Sequence, residues 1–170
     1  MVGFKTTRDV FPIMSWFKRL GYKVVPFSAE GNDWDYEGDV YQDADAADAI
    51  FKDRGIRYDS TKQLSSLAIE NGQVIGAIAS GWAPVSDYGE GVYMFSFDVA
   101  VKKEFQNGLA GMQLIQNAIR QYEQEKDAYG DKTLMRLWVV NPRLVPILER
   151  RFGFEIENSY KDGSAHLIRY

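Results

Sequence analysis

The stretch FSFDVAVKKEFQNGLAG, residues 95–111, decides the fold. A hydrophobic strand pattern runs from Phe95 to Val101, and a short charged turn follows. After Gln106, Asn107, Gly108, Leu109, Ala110 and Gly111 a helix is expected, with Met112, Ile115, Ile119 and Tyr122 recurring on one face. A strand that turns through small residues into a helix offers backbone N–H groups to an anion. The first helical turn has unpaired donors, the helix dipole favours negative charge there, and small residues let a phosphate approach the backbone. An ordinary strand-to-helix turn has the same pattern, so this run needs a second signal.

The second signal lies downstream. Leu137-Trp138-Val139-Val140 reads as a strand and Asn141-Pro142-Arg143 as a turn. A short helix through Leu144 to Leu148 and Arg151 then stops at Gly153-Phe154. Asn is a good cap and Gly a good helix stop, so each element alone is generic. The order matters: strand, small-residue turn, helix, strand, Asn, short helix, Gly-Phe. In that order the two runs resemble the acyl-CoA loop and the second signature of the GNAT (Gcn5-related N-acetyltransferase) family, over roughly residues 62–160.

The resemblance implies an α/β, GNAT-like three-layer fold. Its mixed, mostly antiparallel sheet would have about six to seven strands, flanked by about four helices. It also implies acetyl-CoA as cosubstrate. The pantetheine arm would run along the backbone of Val99, Ala100 and Val101, and the pyrophosphate would lie over Gln106 to Met112, with Asn141 and Arg143 nearby. Lys102 and Lys103 are further candidates for the phosphates, against the alternative of plain solvated charges. Two residues depart from the family pattern. Leu109 stands where the middle glycine of the loop is usual. Leu148, seven residues after Asn141, occupies the place where many members carry a tyrosine that protonates the departing thiolate.

Length and composition fit a single domain over residues 1–170: hydrophobic residues make up 45% and charged residues 26%. The net charge of −4 argues against a nucleic-acid partner, whose footprint is usually basic. The absence of cysteine excludes disulfides, a thiolate metal site and a cysteine nucleophile. The N-terminal MVGFKTTRDVF has no long apolar run, so neither a signal peptide nor a membrane span is expected, and a cytoplasmic location is the default. A monomer or a homodimer is expected.

Along the rest of the chain, Val2–Lys5 reads as a short strand. Thr6 to Leu20 reads as a helix, with Val10, Ile13, Met14 and Phe17 on its inner face. Residues 22–42 read as irregular and acidic, and Asp43–Lys52 as a helix. Leu64–Glu70 and Gln73–Trp82 read as a hairpin turning at Asn71-Gly72, the strongest two-residue hairpin signal. Val92–Val101, Leu134–Val140, Phe154–Asn158 and Ala165–Arg169 complete the strands, the last two joined around Lys161-Asp162-Gly163.

Acetyl transfer to an amine requires a positioned thioester, a neutral amine and a proton acceptor. Asp98, on the central strand with Ser96 on the same face, is the candidate general base. The segment Glu30 to Asp48 carries eight acids and no Lys or Arg. It would suit a cationic amine acceptor such as a polyamine, an aminoglycoside or a lysine side chain, or else it is simply a solvated acidic stretch. Asp33-x-Asp35-x-Glu37-Gly38 mimics the opening of a calcium loop, but Ala44 stands at its twelfth position, so no metal is expected. His166, the sole histidine, reads as a packing or surface residue. The sequence therefore points to an N-acyltransferase moving an acetyl group directly to a primary amine of a small molecule or peptide. The alternative is a catalytically degenerate binding protein of the same fold.

Overall fold

A computed structural model of the chain describes residues 22–28, 36–105 and 109–170. The expected strand at Val2–Lys5 and helix at Thr6–Leu20 lie outside these residues, as do Glu30, Asp33, Asp35, Gln106, Asn107 and Gly108.

Among the described residues seven strands form one sheet: β1 (Tyr22–Pro26), β2 (Gln63–Glu70), β3 (Gln73–Pro84), β4 (Tyr93–Val101), β5 (Thr133–Val139), β6 (Glu155–Ser159) and β7 (Ala165–Arg169). Their spatial order is β1-β2-β3-β4-β5-β7-β6, and among these strands only the β4–β5 pair is parallel. Among the described residues the α-helices are α1 (Val40–Asp53), α2 (Leu109–Glu125) and α3 (Val145–Phe152).

Local chemistry accounts for most of these limits. The β2–β3 turn has positive φ at both Asn71 (50°) and Gly72 (76°), as the sequence predicts. Helix α1 starts three residues before its expected start because the Asp39 side chain caps it, accepting from the Gln42 N–H at 3.0 Å. Helix α3 follows a 3₁₀ turn at Pro142–Leu144, where prolines need donate nothing, and ends at Gly153 in the left-handed region (φ 72°). The reading of residues 22–42 as irregular is corrected at its start. Tyr22–Pro26 pairs antiparallel with β2 from Tyr22↔Glu70 to Pro26↔Ser66. Its two valines at positions 24 and 25 supply the strand-forming, half-buried surface, a signal too short to register as a period in sequence.

The sheet separates two hydrophobic clusters. On one face α2 and α3 bury Leu114, Ile115, Ala118 and Leu148 against Ile78, Phe95, Phe97, Met135, Leu137 and Leu167. On the other face α1 buries Ala47, Ile50 and Phe51 against Leu67, Ala77, Ala79 and Ala100. Gly76 brings α2 close to the sheet, since a Cβ there would stand 3.1 Å from both the Ala100 carbonyl oxygen and Leu114 Cδ1.

Gly81 has a stricter role. The chain entering β2 crosses directly over it, and a Cβ at Gly81 would fall 1.8 Å from the Thr61 carbonyl oxygen. Gly81→Ala is therefore expected to displace the Thr61–Lys62 backbone and cost about 3 kcal/mol or more, read as a lowered midpoint in urea unfolding. An unchanged midpoint would show that the crossing segment yields without cost.

Candidate active site

The β4–β5 ladder is short. It runs from Tyr93↔Thr133 to Phe97↔Leu137 and stops, although β4 continues to Val101 and β5 to Val139. Beyond that point each strand follows its other neighbour. β4 stays with β3 as far as Gly76↔Val101, and β5 stays with β7 as far as Val139↔Ala165. The two strands therefore diverge. The Lys102 N–H bonds to Ile75 on β3, so by alternation the N–H and C=O of Val99 point toward the side where the β5 ladder has ended.

A cavity of about 280 Å³ occupies the divergence. Val99, Ala100 and Val101 form one wall, Leu137 to Asn141 the other, and Gly111 and Met112 at the start of α2 close one end. Leu144, just before α3, and Leu148 of α3 complete an apolar lining, with Leu148 fully buried. Arg54, just after α1, brings a cation to the opposite side.

The structure thus brings together Val99, Ala100, Val101, Gly111, Met112 and Asn141 from the sequence candidates. Leu109 and Ala110 open α2 with their side chains in or against the core. Asn141 lines the cavity, but its Oδ1 accepts from the Arg143 N–H at 3.0 Å, so the side chain is engaged as a cap. Arg143 is exposed and does not line the cavity. Gly111 leaves room at the helix start, since a Cβ there would find its nearest neighbour, Val101 Cγ2, at 3.7 Å.

Asp98 lies beside the divergence with its side chain only 11% exposed. Its Oδ2 is 3.1 Å from the Lys62 ammonium, and Lys62 also approaches Asp59 at 3.8 Å. One carboxylate oxygen of the candidate base is therefore already engaged. Sequence reading missed this pair, because Lys62 reaches Asp98 only where its segment crosses Gly81.

The acids of α1 are largely engaged locally. Asp39 caps the helix, Asp43 accepts from the Tyr36 hydroxyl, and Asp48 accepts from the Tyr58 hydroxyl. Burial and the Asp48 carboxylate push the phenol of Tyr58 up to about 12. No cluster of metal-ligating side chains occurs among the described residues, and none of their helices is long and apolar enough to cross a membrane.

The face of β5, β7 and β6 beside the cavity holds groups that sequence reading left aside. Trp138 lies opposite His166 in register, with ring centroids 6.2 Å apart. His166 Nδ1 and the Tyr160 hydroxyl share a hydrogen bond of 2.8 Å. Arg136 Nε donates to Glu157 at 2.8 Å, and the Tyr88 hydroxyl donates to the same carboxylate. His166, expected to be a packing or surface residue, is half-buried on the cavity side of the sheet.

No protein-family model matches the sequence, and no curated protein matches it. Solved structures do match in shape. Escherichia coli ElaA aligns with a TM-score of 0.57 at 14% identity, covering 88% of this chain and 99% of its own. Arabidopsis thaliana NAA60 in complex with acetyl-CoA aligns with a TM-score of 0.55 at 13% identity, covering 87% and 97%. An N-acetyltransferase from Staphylococcus aureus Mu50 aligns with a TM-score of 0.56 at 16% identity, covering 87% and 97%. The chain has the GNAT fold, a seven-stranded, mostly antiparallel sheet between helices.

Glu157 gives an acid-side test of the face. Burial disfavours its charge, but the Tyr88 and Arg136 hydrogen bonds outweigh this and hold its carboxyl below the ordinary 4.5. A depressed carboxylate contributes stability that is present above its unfolded value and is lost as pH falls through the folded one. Glu157→Gln should therefore lose less stability than the parent between about pH 6 and about pH 3 in urea titrations. Parallel pH profiles would show that the carboxylate contributes nothing to acid sensitivity.

Proposed function

We propose that the protein is an acetyl-CoA-dependent N-acyltransferase that passes an acetyl group directly to a primary amine. The observation that carries this reading is the divergence of β4 and β5 after Phe97↔Leu137, with an apolar cavity between them that reaches the start of a helix. A long, thin, largely uncharged arm ending in a thioester fits such a slot. The positive end of the α2 dipole, with Gly111 leaving room beside it, suits the charged end of the same molecule.

In this reading the backbone of Val99 to Val101 orients the pantetheine. Leu109 to Met112, together with Gln106 to Gly108, receive the pyrophosphate, and Arg143, Lys102 and Lys103 stand near the phosphates. The thioester carbonyl comes to rest where the two strands separate. The amine attacks from the face that carries Asp98, Trp138 and His166. Fixing both reactants supplies much of the rate, about 7–11 kcal/mol at best. Without cysteine the transfer takes place in a ternary complex with no thioester on the enzyme. With Leu148 in the apolar wall, the departing thiolate takes its proton from solvent or from the group that deprotonated the amine. The Lys62–Asp98 pair fixes the charge on the β4 side of the opening, leaving Oδ1 as the oxygen of Asp98 available for a proton through water.

The test is thermal unfolding with acetyl-CoA and with desulfo-CoA. A ligand at 100 times its dissociation constant adds about 2.7 kcal/mol, a clear rise in Tm. Gly111→Ala should raise the Tm of the free protein, because Ala is favoured over Gly in a helix by about 1 kcal/mol. The same variant should weaken acetyl-CoA binding about tenfold, about 1.4 kcal/mol, because one added methyl pushes a closely held phosphate away. No shift with millimolar acetyl-CoA would overturn the acyltransferase reading and leave a degenerate binding protein of this fold.

A further inference from the structure

The sequence suggested a cationic acceptor, on the strength of its acidic segment. The charges on the acceptor face do not favour one. Side chains alternate along strands, so Ser96 and Asp98 on β4, Arg136 and Trp138 on β5, and His166 on β7 share one face, as the registers Ser96↔Arg136 and Trp138↔His166 require. On this face Lys62 neutralises Asp98 and Arg136 neutralises Glu157. Arg54 adds a further positive charge across the cavity. Among the described residues, Asp98 and Glu157 are thus already paired and offer a polycation little.

The face is instead aromatic and apolar. Trp138 is 45% exposed and Tyr160 46%, and Val140, next but one to Trp138, is also exposed. The Tyr160 and His166 rings meet edge to face with centroids 5.5 Å apart. Trp138 also lines the cavity between the diverging strands, so this surface is continuous with the place where the thioester would end. An amine held against these rings would stand at that end.

We propose that Trp138, Tyr160 and His166 form the acceptor subsite, that it takes a primary amine borne on a flat aromatic or other apolar group, and that His166 accepts the proton of the attacking amine. This rests on the acyltransferase reading above. Nδ1 is engaged by Tyr160, and with Nδ1–H donating to the phenol oxygen, Nε2 carries the free lone pair. In the step, the amine nitrogen forms a bond to the thioester carbonyl carbon and its proton passes to Nε2. The C–S bond then breaks with its electron pair on sulfur, and the imidazolium proton leaves to the thiolate or to solvent. Burial and the Arg136 guanidinium push the imidazole below its ordinary 6.5, while Glu157 pushes the other way, so His166 is neutral at neutral pH and able to accept.

A sole histidine makes the test direct, because its imidazole protons give one unambiguous pair of NMR signals. The CoA-loaded protein is titrated with 2-phenylethylamine and, separately, with spermidine. Acetyl-CoA consumption is then followed with each amine. The expected result is that 2-phenylethylamine shifts the His166 signals and is acetylated with a KM about tenfold or more below that of spermidine. His166→Gln should keep binding of 2-phenylethylamine while lowering kcat about a hundredfold, the usual scale for loss of a general base, and should abolish the acid limb of the rate profile. Tyr160→Phe, which removes the hydrogen bond and keeps the ring, should move that limb without raising KM.

Equal or better use of spermidine, or no shift of the His166 signals, would overturn the substrate class. Binding without turnover, or an unchanged kcat in His166→Gln, would overturn the proton transfer. If CoA fails to bind while 2-phenylethylamine still shifts His166, the acyltransferase reading falls and the aromatic-amine site stands.

Discussion

The site depends on one constraint: β4 and β5 each have two neighbours, and beyond Phe97↔Leu137 they can no longer satisfy both. β4 keeps an unbroken antiparallel ladder with β3, nine residue pairs long, to Val101. β5 keeps its antiparallel ladder with β7 to Val139. Antiparallel pairing is the slightly stronger kind, so where the two geometries compete the parallel ladder is the one that ends. Backbone groups that a sheet would normally consume are left facing a gap. The gap stays open because its walls are buried valines and leucines already packed against α2 and α3. Strand pairing and core packing thus fix the position and width of the slot before any ligand arrives.

Much of this was legible in the sequence because the relevant signals are local. Asn71-Gly72 gave the hairpin, the small-residue turn and 3.6-residue spacing gave α2, and Asn141, the two prolines and Gly153 bracketed α3. Val99, Ala100 and Val101 came from the family resemblance rather than from a local signal, and they line the cavity. What was not legible depends on contacts distant in sequence. Strand β7 enters between β5 and β6, which sets His166 beside Trp138, 28 positions away along the chain by number. No periodicity announces that register. The Lys62–Asp98 pair likewise exists only because a segment crosses Gly81, a glycine that reads in sequence as an ordinary small residue within a strand.

Asp98 and His166 differ in how their surroundings engage them. An acid on the central strand looked like a base, and a lone histidine near the C-terminus looked inert. The acid is joined to an ammonium in a nearly enclosed position, whereas the histidine has one nitrogen held by a phenol and the other unengaged among the described residues. Leu148 adds to the asymmetry. It lines one side of the slot with hydrocarbon, while the titratable groups of β4, β5 and β7 gather on the opposite face.

At the β6 edge, the ladder with β7 slips between Ile156 and Asn158, and the outer strand carries Glu155, Glu157 and Asn158. A slipped, charged outer strand presents its free N–H and C=O groups out of step with any incoming chain. Growth of the sheet by stacking one copy's edge on another is therefore disfavoured on this side. Association between copies would have to use side-chain surfaces rather than backbone pairing there, which leaves the aromatic face next to β6 clear of a docked neighbouring strand.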